Sequence, residues 1–276
     1  MNKKNKFETN AIHIGNEPDL STGSISPPIH LTSTYVQEGI GKNKGYDYSR
    51  GNNPTRRRLE KNIASLEGGC DAIAFSSGMA ATTALFQELS QGDHVIISRN
   101  VYGGTYRMTT QVLSNHGLQF DFVDTRDIRN IKKAIKTNTK WIFVETPTNP
   151  MLEITDIAAV SKLCRENNLL FAVDNTFMSP YGQRPIENGA DCVMHSSTKF
   201  IGGHSDVLGG ILVVKNKELA EKLHFIQKSG GAIPSPFDAW LLLRSVKTMA
   251  MRVQKASDNA MVLRLFKAKS ELLIPE

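Results

Sequence analysis

Long apolar runs are missing from this chain of 276 residues. No run exceeds five consecutive apolar residues, as at Ala239 to Leu243, against the ~18–20 that a membrane span requires. The basic start, Met1 to Asn10, has no apolar stretch behind it, so a secretory signal is not expected. Cysteine is scarce: Cys70, Cys164 and Cys192 form an odd, widely spaced set. That pattern argues against a disulfide framework and predicts reduced thiols in a cytoplasmic protein. Neither GxGxxG nor GxxxxGK[ST] occurs, which removes the best support for dinucleotide and Walker-type sites. His195 and His204 lack partners at metal-ligand spacing, so no metal site is expected. An excess of one charge on one surface is lacking too. Lys plus Arg number 33 against 27 Asp plus Glu, a net of +6, and the basic residues are scattered with acids between them. Solvated faces explain them better than a nucleic-acid partner, though a moderate attraction for anionic small molecules remains.

What is present is an ordinary globular mixture, 40% apolar and 22% charged. Residues 1–45, with Pro18, Pro27 and Pro28 among Ser, Thr and Gly, predict an extended arm without helix. From about residue 70, short Val-, Ile- and Phe-rich runs alternate with segments of helical period. The runs are Ala72–Ser77, His94–Ser98, Phe120–Asp124, Trp141–Thr146, Leu169–Asn175, Cys192–Ser196 and Gly210–Val214. Asp127 caps one helix, with Ile128, Ile131 and Ile135 on a face, and Thr155 opens another through Ile157, Val160 and Cys164. Seven strands alternating with helices predict a mostly parallel sheet covered on both faces. The last junction, Thr198 to Gly209, has three glycines and no helical period, so the strand after it is expected to be antiparallel. A helix over Lys217–Lys228 follows. Ser235-Pro236 then caps a long helix through Trp240, Leu243, Val246 and Met249, and the chain closes on the apolar tail Leu272 to Ile274.

Ligands of open parallel sheets bind beyond the carboxyl ends of the strands. The first such end, Ser76-Ser77-Gly78-Met79-Ala80, runs straight into a helix. Its free amides would offer an anion ~0.3–2 kcal/mol of dipole field, unless the segment is only a tight turn. Tyr102-Gly103-Gly104-Thr105 could lay a ring on a planar ligand or be a surface turn, and Glu145 to Pro150 makes a proline-stiffened loop carrying Asn149. Asp174 ends an apolar strand, where a buried carboxylate needs a partner, such as a cationic ring nitrogen, unless it caps the next segment. Ser196-Ser197-Thr198-Lys199 sets two hydroxyls beside an amine that can form a Schiff base, and partial desolvation would make that lysine nucleophilic. Cys164, on the apolar face of its helix, reads as a core thiol. Together these ends supply a phosphate cradle, a stacking aromatic, an acid for a ring nitrogen and a lysine for an aldehyde, which is the equipment for pyridoxal phosphate.

These motifs, with Tyr48-Ser49-Arg50-x-x-Asn53-Pro54-Thr55 before them and Gly203-His204-Ser205-Asp206 after, resemble the Cys/Met-metabolism pyridoxal-phosphate enzymes. That group comprises the cystathionine γ-synthases, the cystathionine γ- and β-lyases and the methionine γ-lyases, and the resemblance runs from about Phe7 to about Ala260. It implies the aspartate-aminotransferase-like fold type I and a pyridoxal 5′-phosphate cofactor. By resemblance Lys199 is the Schiff-base lysine and proton shuttle, Asp174 pairs with the ring nitrogen, and Tyr102 stacks on the ring and assists acid–base steps. The Gly78 and Met79 amides and the Ser196 and Thr198 hydroxyls would hold the phosphate, with Asn149 near the phenolic oxygen. Tyr48 and Arg50 would reach the phosphate of a neighbouring subunit, implying a homo-oligomer, dimer or tetramer, with shared active sites.

The implied chemistry acts at Cγ of cystathionine or an O-acyl-homoserine, with β-lyase or methionine γ-lyase activity, or a non-catalytic remnant, as alternatives. Phe200 stands where Tyr is commoner in the group, Asn52 replaces a usual Gly, and Gly104 stands where methionine γ-lyases carry a cysteine. The organisation expected is an arm over 1–45, a cofactor-binding α/β domain over 46–235, and over 236–276 a linking helix and the start of a C-terminal domain. The rest of that domain, including its substrate-binding arginine, is expected to be missing by truncation.

Overall fold

The computed structural model describes residues 6–271, and their side chains as far as residue 264. In chain order the elements open with helices α1 (Phe7–His13) and α2 (Pro54–Glu67). Strand β1 (Asp71–Phe75), α3 (Gly78–Phe86), β2 (His94–Ser98), α4 (Gly103–Arg107) and β3 (Gln119–Val123) follow. Next come α5 (Ile128–Ala134), β4 (Thr139–Glu145), α6 (Ile157–Glu166), β5 (Leu170–Asp174), α7 (Ser179–Gly182) and β6 (Cys192–His195). The described chain ends with β7 (Gly210–Val214), α8 (Lys217–Gly230), α9 (Pro236–Val246) and α10 (Met249–Glu271). The strands form one sheet of seven in the order β1-β7-β6-β5-β4-β2-β3. Strand β7 runs antiparallel to both its neighbours, β1 and β6, while the other pairs are parallel. Without a helix between Thr198 and Gly209 the chain cannot cross back over the sheet, so it re-enters in the opposite direction. The sequence expectation of strand number and direction is met.

The period-2 alternation of each strand divides the core in two. Ile142, Val144, Phe171, Val173 and Val193 face one layer with Leu59 and Ile63 of α2, Val160 and Cys164 of α6, and Leu242 and Val246 of α9. Trp141, Phe143, Ala172, Cys192 and Met194 face the other, against Leu85 and Phe86 of α3 and Leu219 and Leu223 of α8. Both faces are covered, as parallel strands demand. Burying each of these large side chains contributes about 1.5–3 kcal/mol. Trp141 is fully buried, and its indole N–H finds Glu88 Oε2 at 3.2 Å. Cys164 is a buried core thiol, pushed up to about 12 by burial.

Local signals act where expected at two caps: Asp127 accepts from Arg129 N, and Ser235 accepts from Asp238 N before Pro236. Asn53, not among the expected caps, accepts from the Thr55 and Arg56 amides ahead of Pro54. Three expectations need correction. The arm is not wholly extended: Phe7–His13 is helical because tertiary contacts hold it. Asn62 Nδ2 donates to the carbonyls of Asn10, Ala11 and Ile14, Ala11 is buried, and Phe7 lies edge-on to Tyr181 at 5.3 Å. The cap of α6 is Asp156, which accepts from Ala159 N, whereas the Thr155 hydroxyl is 2.7 Å from that of Thr125. The long helix through Met249 is two helices, because the turn at Lys247 and Thr248 interrupts the ladder and α10 begins at Met249. The tail Leu272 to Ile274 lies outside the described residues. The Asn62 contacts predict that Asn62→Ala lowers stability by about 1–3 kcal/mol in urea unfolding and speeds hydrogen exchange in α1 above all.

Candidate active site

The carboxyl ends of the parallel strands and the start of α3 enclose a cavity of about 500 Å³. Eight of the ten residues nominated from sequence line it: Gly78 and Met79 from α3, Tyr102 after β2, Asn149 after β4, Asp174 ending β5, and Ser196, Thr198 and Lys199 after β6. Tyr48 and Arg50 do not. The Arg50 guanidinium sits 5.4 Å from the Tyr48 ring centroid and donates to the Lys228 carbonyl in the last turn of α8.

The start of α3 is built for close approach. The Ser77 hydroxyl accepts from Ala80 N at 3.1 Å, while the amides of Gly78 and Met79 fall in the first turn, where a helix has no partner to give them. A Cβ on Gly78 would lie 2.9 Å from the Ser196 Cβ, so only glycine lets the helix meet the β6 loop. That loop is a tight turn, with Lys199 N donating to Ser196 O, Gly203 N to Lys199 O, and Gly209 N to the Thr198 hydroxyl. It leaves Lys199 exposed at the cavity mouth, so the partial desolvation expected for this lysine is not what the fold provides. A second, open cleft of about 740 Å³ lies against Lys199 and Phe200, bounded by Asp206 and Arg252. Gly104 is needed for the aromatic: a Cβ there would come within 2.8 Å of the Met79 sulfur and collide with the Tyr102 ring, which is half exposed.

Two carboxylates face each other at the floor. Glu145 and Asp174 end adjacent strands in direct register, and each is only 6% exposed. Glu145 accepts from Tyr102 N at 2.6 Å and Asn149 N at 2.9 Å, fixing the aromatic and the amide together. Asp174 accepts from Thr176 N at 3.0 Å. Burial first, and the Asp174 charge second, push Glu145 up from its ordinary 4.5 to about 7. Burial raises Asp174 as well, and the hydrogen bonds from Thr176 oppose that rise. A buried acid without a cation is costly to ionise, so the floor calls for a positive group. With an anion seat at α3 and an aromatic above, the cavity fits a planar ring bearing a phosphate at one end and a protonated nitrogen at the other. Among the described residues, no group of three or more His, Cys, Asp or Glu is placed to hold a metal.

Glu145 has no role in the sequence expectation, although it ends an apolar strand just as Asp174 does, and its position at a strand end is the signal that marks it. Thr176, which follows Asp174 in its motif but has no role in that expectation, and Phe177, which carries no sequence signal, also line the cavity. Because Glu145 keeps its proton in the folded protein up to about pH 7, its contribution to stability is whole below about 4.5 and is lost as pH rises through 7. Glu145→Gln, which cannot titrate, should therefore lose about 2 kcal/mol less stability than the parent between about pH 5 and pH 8, read by thermal melting of cofactor-free protein. An equal slope in the two proteins would contradict the assignment.

The Cys/Met metabolism PLP-dependent enzyme family matches residues 8–272 of the chain. The protein named "Probable cystathionine gamma-synthase" of Herpetosiphon aurantiacus is 51% identical over 260 residues, covering 94% of this chain and 82% of its own length. The cystathionine beta-lyase of Lactococcus lactis subsp. cremoris is 46% identical over 273 residues, covering 98% of this chain and 72% of its own. The crystal structure of cystathionine gamma-lyase from Lactobacillus plantarum, complexed with L-serine, superposes with a TM-score of 0.93 at 47% identity, covering 95% of this chain and 68% of that one. A match spanning nearly the whole chain, with a fold in common, places it among the pyridoxal-phosphate-dependent enzymes of Cys/Met metabolism.

Proposed function

We propose that this chain is a transsulfuration enzyme acting at Cγ of cystathionine or of an O-acyl-homoserine, as a cystathionine γ-synthase or γ-lyase. The observation that carries the reading is the convergence of Lys199, Asp174, Tyr102 and the α3 amides on one cavity. Likeness to a γ-synthase at 51% and to a γ-lyase structure at TM-score 0.93 supports action at Cγ. The 46% identical β-lyase favours cleavage at Cβ as the second reading.

In this reading the Gly78 and Met79 amides, with the Ser196 and Thr198 hydroxyls, hold the cofactor's phosphate. Asp174 faces the ring nitrogen, whose positive charge offsets the burial of the carboxylate. Tyr102 covers the ring, and Asn149, held by Glu145, lies at the phenolic oxygen. When bound, pyridoxal phosphate accepts the electron pair left on the substrate's Cα. Lys199 binds the cofactor aldehyde through Nζ and, once displaced by substrate, takes the Cα proton and moves protons at Cβ, assistance worth about 10²–10⁴-fold. The Tyr102 hydroxyl supplies the proton to the departing γ-substituent. Glu145 takes no proton in this scheme; it orients Tyr102 by accepting its backbone N–H.

Tyr48 and Arg50, which do not line the cavity of their own chain, serve the phosphate of a second copy, so the active form is a homo-oligomer with shared sites. Residues 46–235 form the cofactor-binding domain, preceded by the arm and followed by the linking helices.

Titrating the purified chain with pyridoxal phosphate should give a saturable change in visible absorption that Lys199→Ala lacks. The same substitution should reduce turnover by about 10²–10⁴-fold or more. Cystathionine should then yield 2-oxobutanoate. Release of pyruvate would instead establish cleavage at Cβ, and identical featureless spectra from both proteins would overturn the cofactor roles given to these residues.

A further inference from the structure

On the reverse face of the sheet from the cavity lies a polar cluster that the reaction does not use. Asp174 and Met194 point toward the cavity, so their neighbours in sequence, Asn175 and His195, fall on the opposite side. There they meet Glu67, the last residue of α2. Glu67 Oε1 accepts from Asn175 Nδ2 at 3.0 Å and lies 3.2 Å from His195 Nε2. Asn175 Nδ2 also donates to the Gln183 carbonyl at 2.8 Å. The Gln183 amide returns one bond to Asn175 Oδ1 at 3.0 Å and gives another to the Thr146 carbonyl at 3.1 Å. One chain of hydrogen bonds thus joins the residues that follow β4 and β5 to the last residue of β6. Those three strand ends lead to Asn149, Asp174 and Lys199.

The cluster is a poor device for stability. Glu67 and Asn175 are 0% exposed and His195 1%. Among the described residues, Glu67 Oε2 and His195 Nδ1 have no hydrogen-bond partner. A buried polar pair that leaves polar atoms unsatisfied is worth no more than well-packed apolar side chains of the same volume, and often less. It also adjoins, in sequence, members of an apolar layer that includes Leu66, Val173 and Val193. What the cluster does supply is direction: a carboxylate accepts from two donors at fixed angles, whereas apolar packing permits sliding.

We propose that Glu67, acting through Asn175, Gln183 and His195, is a positioning residue that fixes the ends of β4, β5 and β6 as one platform for the cofactor. The inference rests on the cofactor reading above. It concerns geometry and not charge, because an amide oxygen at position 67 would accept the same two donors.

The test compares wild type, Glu67→Gln and the double variant Glu67→Met/His195→Leu. Two readouts are used: the melting temperature without cofactor, and the dissociation constant for pyridoxal phosphate from visible absorption. The double variant should melt at or above the wild-type temperature yet bind the cofactor about tenfold more weakly, equivalent to about 1.4 kcal/mol, while Glu67→Gln stays within about threefold of wild type. Wild-type affinity in the double variant would overturn the proposal, and so would its failure to fold or a fall in its melting temperature, since the cluster would then be a stability element. Equal weakening in Glu67→Gln would assign the effect to charge and overturn it too. If wild type itself shows no saturable binding, the cofactor reading fails and this inference falls with it.

Discussion

A carboxylate at the end of a buried strand is the constraint around which this structure is arranged. Asp174 is almost wholly covered, accepts from the Thr176 backbone amide, and has a second acid, Glu145, beside it in register. Water cannot stabilise its charge, and burial raises its proton affinity. In the proposed reading a protonated ring nitrogen resolves this, because it brings a positive charge to the buried carboxylate. The relation is reciprocal. In that reading the same carboxylate would keep the nitrogen protonated, as a ring that is to accept electrons from a substrate carbanion requires.

The rest of the site follows from where that strand sits. A parallel sheet delivers the ends of β2, β4, β5 and β6 to one edge, so Tyr102, Asn149, Asp174 and Lys199 meet although nearly a hundred residues separate the first from the last. The antiparallel strand β7 closes the gap between β6 and β1, which brings the Gly78 helix start against Ser196. Glu145 joins two of these pieces, and the Glu67 cluster joins three from behind.

Much of this was legible from residues alone. Apolar runs alternating with helical segments gave the strands to within about two residues, because buried parallel strands read as continuous hydrophobic stretches. The glycine-rich stretch before β7 announced its direction. Eight of ten nominated site residues share a cavity because strand ends, located by pattern, are also where such folds bind ligands. The misses share a cause. Helix α1 has no period of its own and exists through Asn62, which lies some fifty residues away in sequence. Glu67 and His195 pair across 128 residues, and no local signal predicts such a contact. The breaks at Thr155 and Lys247 are matters of which neighbouring residue caps or ends a helix, the least determined feature of any sequence. Tyr48 and Arg50 do not line the cavity of their own chain.

The central claim, that Asp174 holds a positive charge on the cofactor ring, is open to direct observation. Pyridoxal phosphate labelled with nitrogen-15 in its ring can be bound to the purified chain and to Asp174→Ala, and the nitrogen shift followed by NMR as pH is raised. The account predicts a ring nitrogen that stays protonated in the parent protein well above the pH at which it is lost in the variant. A nitrogen deprotonated at neutral pH with Asp174 in place would contradict it.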